Sequence, residues 1–85
     1  MGKKNNFELS ILVVDDDENI RIVLQKSLEK EGYHVSTSKN AEEALKTLQR
    51  SFFHVVITDI MMGEMSGVDL LKKIKEMNYL MQIFI

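Results

Sequence analysis

His54-Val55-Val56-Ile57-Thr58-Asp59-Ile60-Met61-Met62-Gly63-Glu64-Met65-Ser66-Gly67 is the stretch whose reading decides the fold. Its apolar run, Val55 to Ile57, has the composition of a strand buried on both faces, as in a parallel sheet covered by helices. The run ends in a carboxylate, Asp59, and then in a loop holding Gly63 and Gly67. Open α/β sheets bind their ligands outside the carboxyl ends of their strands, so an acid placed there has a candidate function. Taken alone, the same Asp59 also suits an ordinary turn.

A second stretch, Ile11-Leu12-Val13-Val14-Asp15-Asp16-Asp17-Glu18-Asn19, repeats the design: a short apolar strand running straight into acid. Two buried parallel strands that end this way bring their carboxylates to one end of the sheet. Uncompensated, those like charges repel. A hard divalent cation with oxygen ligands is the natural compensation, and Mg²⁺ suits one or two carboxylates plus phosphate and water. The bland alternative is an acid cluster favoured by a helix dipole, with no metal. Asp17 and Glu18 fit that description better than they fit a ligand set.

Val13-Val14-Asp15-Asp16, the strand ending Ile57-Thr58-Asp59, and the loop Ile60-Met61-Met62-Gly63-Glu64-Met65-Ser66-Gly67 together resemble the receiver domain of two-component response regulators. The paired acids, the lone acid on the third strand and the Met-rich loop match in kind, order and spacing, from about Leu9 to the last residue. One departure is Gly63, where the family usually carries Pro; Gly widens the conformations open to that loop. The resemblance implies that Asp59 is the phosphoacceptor, modified by a histidine kinase to an aspartyl phosphate. It implies Mg²⁺ held by Asp15, Asp16, Asp59 and the backbone carbonyl of Met61. It further implies a signalling module rather than a turnover enzyme.

At 85 residues the chain allows one domain. So short a chain buries only about 60% of its unfolded surface, which makes its stability marginal. Its 45% apolar and 28% charged residues are those of a soluble globular protein. A net charge of −2 argues against nucleic acid or a membrane surface as direct partner. No apolar run approaches the roughly 20 residues of a membrane span. The polar start Met1-Gly2-Lys3-Lys4-Asn5-Asn6 has no apolar signal region behind it, and Gly2 does not read as a lipidation site because position 6 is Asn. With no cysteine the chain has no disulfide framework, and a cytoplasmic location is expected.

In chain order, residues 1–8 are expected to form a flexible lead-in and 9–85 a partial receiver domain. Leu9 to Val14 is the first strand. The acids at 15–18 open a helix with Ile20, Val23, Leu24 and Leu28 at helical spacing, and Gly32 terminates it. Tyr33 to Ser38 is a half-polar strand suited to a sheet edge. Asn40 followed by Glu43 has the pattern of a capping box and opens a helix with Ala41, Ala44, Leu45 and Leu48 inward. Phe53 to Thr58 is the third strand. Ser66 to Asp69 caps a third helix, with Val68, Leu71, Ile74 and Met77 on one side and Lys72, Lys73 and Lys75 on the other. Met81 to Ile85 is the fourth strand. The alternation predicts an α/β fold with a parallel sheet, and the resemblance implies that it is flavodoxin-like and doubly wound, in the strand order 2-1-3-4.

The resemblance implies a further helix, strand and helix, with a Ser or Thr closing the fourth strand and a Lys closing the fifth. Without them, apolar surface on the central strands and the edge of the fourth strand are expected to be uncovered, and a self-associated dimer or larger assembly follows. The competing expectation is a truncated receiver that self-associates and no longer signals, with weak Mg²⁺ binding retained and phosphorylation slowed or lost. Two other classes fail on residues. A dehalogenase-type phosphatase needs a second Asp where Met61 stands, and a dinucleotide fold needs a Gly-rich turn where Asp15 to Glu18 stand. His34 and His54 lack ligand spacing, so surface or strand-start roles are expected of them.

Overall fold

The structure, a computed structural model of the chain, describes residues 9–59, 61, 66–76 and 82–84. Among the described residues seven elements alternate: β1 (Ser10–Val14), α1 (Glu18–Lys30), β2 (His34–Ser38), α2 (Ala41–Arg50), β3 (Val55–Thr58), α3 (Gly67–Glu76) and β4 (Gln82–Phe84). The sheet order is β2-β1-β3-β4, and every neighbouring pair is parallel. Element order and strand order are those the sequence predicts, and the half-polar β2 lies at the edge. The lead-in over residues 1–8, most of the Met61–Met65 loop, and Met77, Met81 and Ile85 lie outside the described residues.

Each helix begins and ends where its side chains can satisfy free backbone groups. The Asp17 carboxylate accepts from the amides of Asn19 and Ile20 at 2.9 and 3.4 Å, which starts α1. That helix closes in a Schellman arrangement: the amide of Tyr33 donates to the Leu28 carbonyl and that of Gly32 to Glu29. Gly32 sits at φ 99°, the left-handed conformation this ending requires. Tyr33 is thereby spent on the helix end, so β2 starts one residue later than predicted. At α2 the Asn40 Oδ1 accepts from the Glu43 amide at 2.8 Å. The Glu43 carboxylate returns to the amide of Lys39 rather than of Asn40, at 3.2 Å. At α3, Ser66 and Asp69 cap one another reciprocally: the Asp69 amide donates to Ser66 Oγ and the Ser66 amide to Asp69 Oδ2.

Parallel pairing puts matched residues on one face of the sheet. Leu12 pairs with Val56 and Val14 with Thr58. Leu12, Val14 and Val56 join Ala41, Ala44, Leu48, Phe53, Leu70 and Ile74 in one buried core beneath α2 and α3. The inward stripe of α3 is Gly67, Leu70, Leu71 and Ile74, a repeat of three and four residues. This corrects the expected stripe starting at Val68, which is exposed. Phe53 precedes β3 instead of starting it, yet is buried as part of the core.

The opposite face carries Ile11 and Val13, paired with Val55 and Ile57. Here α1 packs on β1 and β2. Ile11 and Val13 are 4% and 1% exposed, so the expected opening of the central strands is not seen on β1 and is confined to β3, where Val55 and Ile57 are half-buried. Among the described residues on this side, the outside of α1 is also uncovered. The partly buried residues Arg21, Leu24, Gln25 and Leu28 form the inward stripe of α1. Ile20 and Val23, one step round the helix, are 42% and 62% exposed. Among the described residues, no helix is long and apolar enough to cross a membrane.

Candidate metal centre

β1 and β3 run side by side and in register through Val14 and Thr58, so the next residues leave the sheet together. The amide of Asp59 donates to the Val14 carbonyl at 3.1 Å, and that of Asp15 to the Ser38 carbonyl of β2 at 3.2 Å. Asp59 is thus tied to the central strand β1, and Asp15 to the edge strand β2, as the ladder ends. Carboxylate oxygens of Asp15, Asp16 and Asp59 lie within 4.8 Å of one another. Residues 44 positions apart in the chain meet here because parallel strands share a carboxyl end.

The three acids are held differently. Asp15 is mostly buried, and its Oδ1 accepts from the Asp17 amide at 2.9 Å. Asp16 is exposed. Asp59 is half-buried, and its Oδ1 accepts from the Met61 amide at 3.1 Å. The Met61 side chain is exposed, and a hydrogen bond links its backbone to the acid it follows. Beneath them, the buried Thr58 hydroxyl donates to the Asp59 carbonyl at 3.1 Å. The guanidinium of Arg21, from the inward stripe of α1, donates to the main-chain carbonyl of Asp15 at 2.7 Å.

The donor set suits a hard cation. All three side chains offer oxygen, with no thiolate or imidazole in the group, which favours Mg²⁺ over Zn²⁺. Octahedral Mg²⁺ with bonds of about 2.0–2.1 Å places its oxygens about 3–4 Å apart, so small side-chain rotations bring the three into one shell. Asp15, Asp16 and Asp59 are the acids singled out in the sequence. Asp17 stands apart as the N-cap of α1, one residue before the first turn in which it was expected and which Glu18 occupies. The histidines also fall outside the group: His54 Nδ1 accepts from the Ser10 amide at 3.0 Å, a strand-start role, and His34 begins β2. No pattern in the sequence marks Arg21. A basic residue in the first turns of a helix is unremarkable until the fold lays it over the end of β1.

Comparison with known proteins finds relatives that share this fold. The profile of the response regulator receiver domain matches residues 11–85. The response regulator receiver protein CpdR of Brucella abortus is 41% identical over 68 residues, covering 80% of this chain and 57% of CpdR. The chemotaxis protein CheY4 of Vibrio cholerae superposes with a TM-score of 0.82 at 32% identity, over 85% of this chain and 60% of that one. The response regulator protein TrrA of Thermotoga maritima, solved in complex with Mg(2+)-BeF, has a TM-score of 0.78 and 42% identity, over 81% of this chain and 60% of that one. The chain thus spans less than two thirds of each of these relatives.

Proposed function

Because this chain belongs to the response regulator receiver domain family of two-component signalling, we propose that it is a phosphoacceptor module, with Asp59 taking a phosphoryl group from a histidine kinase in the presence of Mg²⁺. The observation that carries the reading is the convergence of Asp15, Asp16 and Asp59 at one sheet end. In the transfer, a carboxylate oxygen of Asp59 attacks the phosphorus of a phosphohistidine. The new O–P bond forms as the N–P bond breaks, and the imidazole nitrogen leaves with the electron pair. Such transfers depend on positioning and charge neutralisation more than on acid–base chemistry. Bound Mg²⁺, supported by the acid cluster here and by the complex of the relative TrrA, would neutralise the phosphoryl oxygens. Asp15, Asp16, Asp59 and the Met61 carbonyl are the groups assigned to hold it.

The chain's own residues do the rest. The Met61 amide holds one Asp59 oxygen, which leaves the other to react. The Asp17 amide orients Asp15 in the same way. Incubation with a small acyl phosphate and Mg²⁺ should add one phosphoryl group to the intact mass, and neither Asp59→Asn nor a chelator-treated sample should gain it. No mass gain in the unmodified chain sinks the phosphoacceptor reading.

A second reading, a self-associating module that does not signal, is favoured by the aliphatic surface of α1. Ile20, Ile22 and Val23 are exposed there, beside an apolar recess lined by Asn19, Ile20, Val23 and Leu24. An antiparallel pair of α1 helices would set the acidic first turn of one against Lys26 and Lys30 of its copy. Sedimentation across micromolar concentrations tests it, and a constant monomeric mass excludes it.

A further inference from the structure

We infer that Arg21 is a positioning residue for the metal centre, acting through the peptide that joins Asp15 to Asp16; the inference rests on the Mg²⁺ reading above. Arg21 lies on the inward stripe of α1, and its Nη1 donates to the Asp15 carbonyl at 2.7 Å. That oxygen has passed the end of β1, which is Val14, so the strand ladder does not hold it. The oxygen belongs to the planar unit that also contains the Asp16 nitrogen and α-carbon. Holding it therefore sets the direction in which Asp16 leaves the sheet.

Asp16 needs such a hold. Asp15 is anchored three ways: its amide to Ser38, its Oδ1 to Asp17 and its carbonyl to Arg21. The Asp16 side chain is exposed, and the Asp15–Asp16 peptide is what carries it into the group of carboxylates. Arg suits the task because its planar fork loses less freedom per hydrogen bond than a Lys ammonium does. A charge-assisted bond to a carbonyl is also stronger than a neutral one.

Arg21 is a cation beside a proposed cation site, and this makes the inference decidable by sign. If the guanidinium acted only through its charge, removing it would tighten Mg²⁺. If it positions Asp16, removing it loosens Mg²⁺ despite the relieved repulsion. Partners that orient ligands in this way typically contribute about 10–100-fold in metal affinity.

The test is calorimetric titration of the 85-residue chain with Mg²⁺, with Mn²⁺ paramagnetic resonance as a second readout. Thermal unfolding without metal is recorded for each variant. Arg21→Met should weaken Mg²⁺ about tenfold. Arg21→Lys keeps the charge but not the fork and should weaken it about threefold. Equal or tighter binding in Arg21→Met overturns the inference. If that variant does not fold, an unchanged affinity in Arg21→Lys overturns it instead. Failure of the metal reading looks different, because then the unsubstituted chain takes up no Mg²⁺ or Asp16→Asn binds it undiminished.

Discussion

Asp16 and Asp59 show how one residue type takes different roles at neighbouring positions. Asp59 is half-buried with one oxygen held by the Met61 amide, whereas Asp16 is exposed and lies beside two other carboxylates. Replacing Asp16 by Asn removes one of three converging charges. Mg²⁺ affinity, followed by calorimetry, should fall by at least about tenfold, as for loss of a ligand or its orienting partner. In metal-free buffer the same variant should unfold at a slightly higher temperature, because like-charge repulsion at the sheet end is relieved. An unchanged metal-free midpoint would show that the three acids do not interact without metal. The aspartates were legible as residues, since acid after a buried strand is a pattern along the chain. Arg21 was not, because its partner is a main-chain oxygen that no side-chain pattern reveals.

At the scale of elements, α1 ends on Gly32 and α2 begins on Asn40, and both signals were visible in the sequence. A Cβ at Gly32 would meet no atom within 4 Å, so the cost of Gly32→Ala is purely the left-handed backbone at φ 99°. That cost is about 1 kcal/mol, or about 4–8 °C in melting temperature for a domain of this size. Gly32→Asn should cost less, since Asn tolerates that conformation. Asn40→Ala leaves the Glu43 amide without its cap and should cost about 1 kcal/mol by chemical denaturation. Inward faces were harder to anticipate than helix ends. Val68 for α3, and Ile20 and Val23 for α1, fit an apolar periodicity as well as the residues that turned out to face the sheet. The angle at which a helix lies on the sheet chooses between stripes one residue apart, and that angle comes from packing.

Across the whole molecule, one face of the sheet is closed and the other is not. Beneath α2 and α3 the core is continuous, with Leu12 fully buried at its centre. Leu12→Ala should cost about 2–5 kcal/mol. In a domain with only a few kcal/mol in reserve, a substantial unfolded population should appear by circular dichroism at room temperature. Outside α1, Val23→Lys should change stability by no more than about 0.5 kcal/mol, because the side chain is already in solvent. The same substitution should shift any self-association seen by sedimentation toward monomer. If it does not, the outer face of α1 is not the surface through which copies meet.

The alternation of strands and helices, the places where helices start and stop, and the three acids were determined by the sequence alone, whereas the strand order came with the family resemblance. Burial on two faces, capping and turn chemistry are local physics, written within a few residues of where they act. Tertiary structure alone decided which helix stripe faces inward, that α1 covers Ile11 and Val13 but leaves Val55 and Ile57 half-open, and that Arg21 clasps the carbonyl of Asp15. Those outcomes depend on how elements far apart in the chain tilt against a common sheet, and a one-dimensional pattern does not contain that tilt.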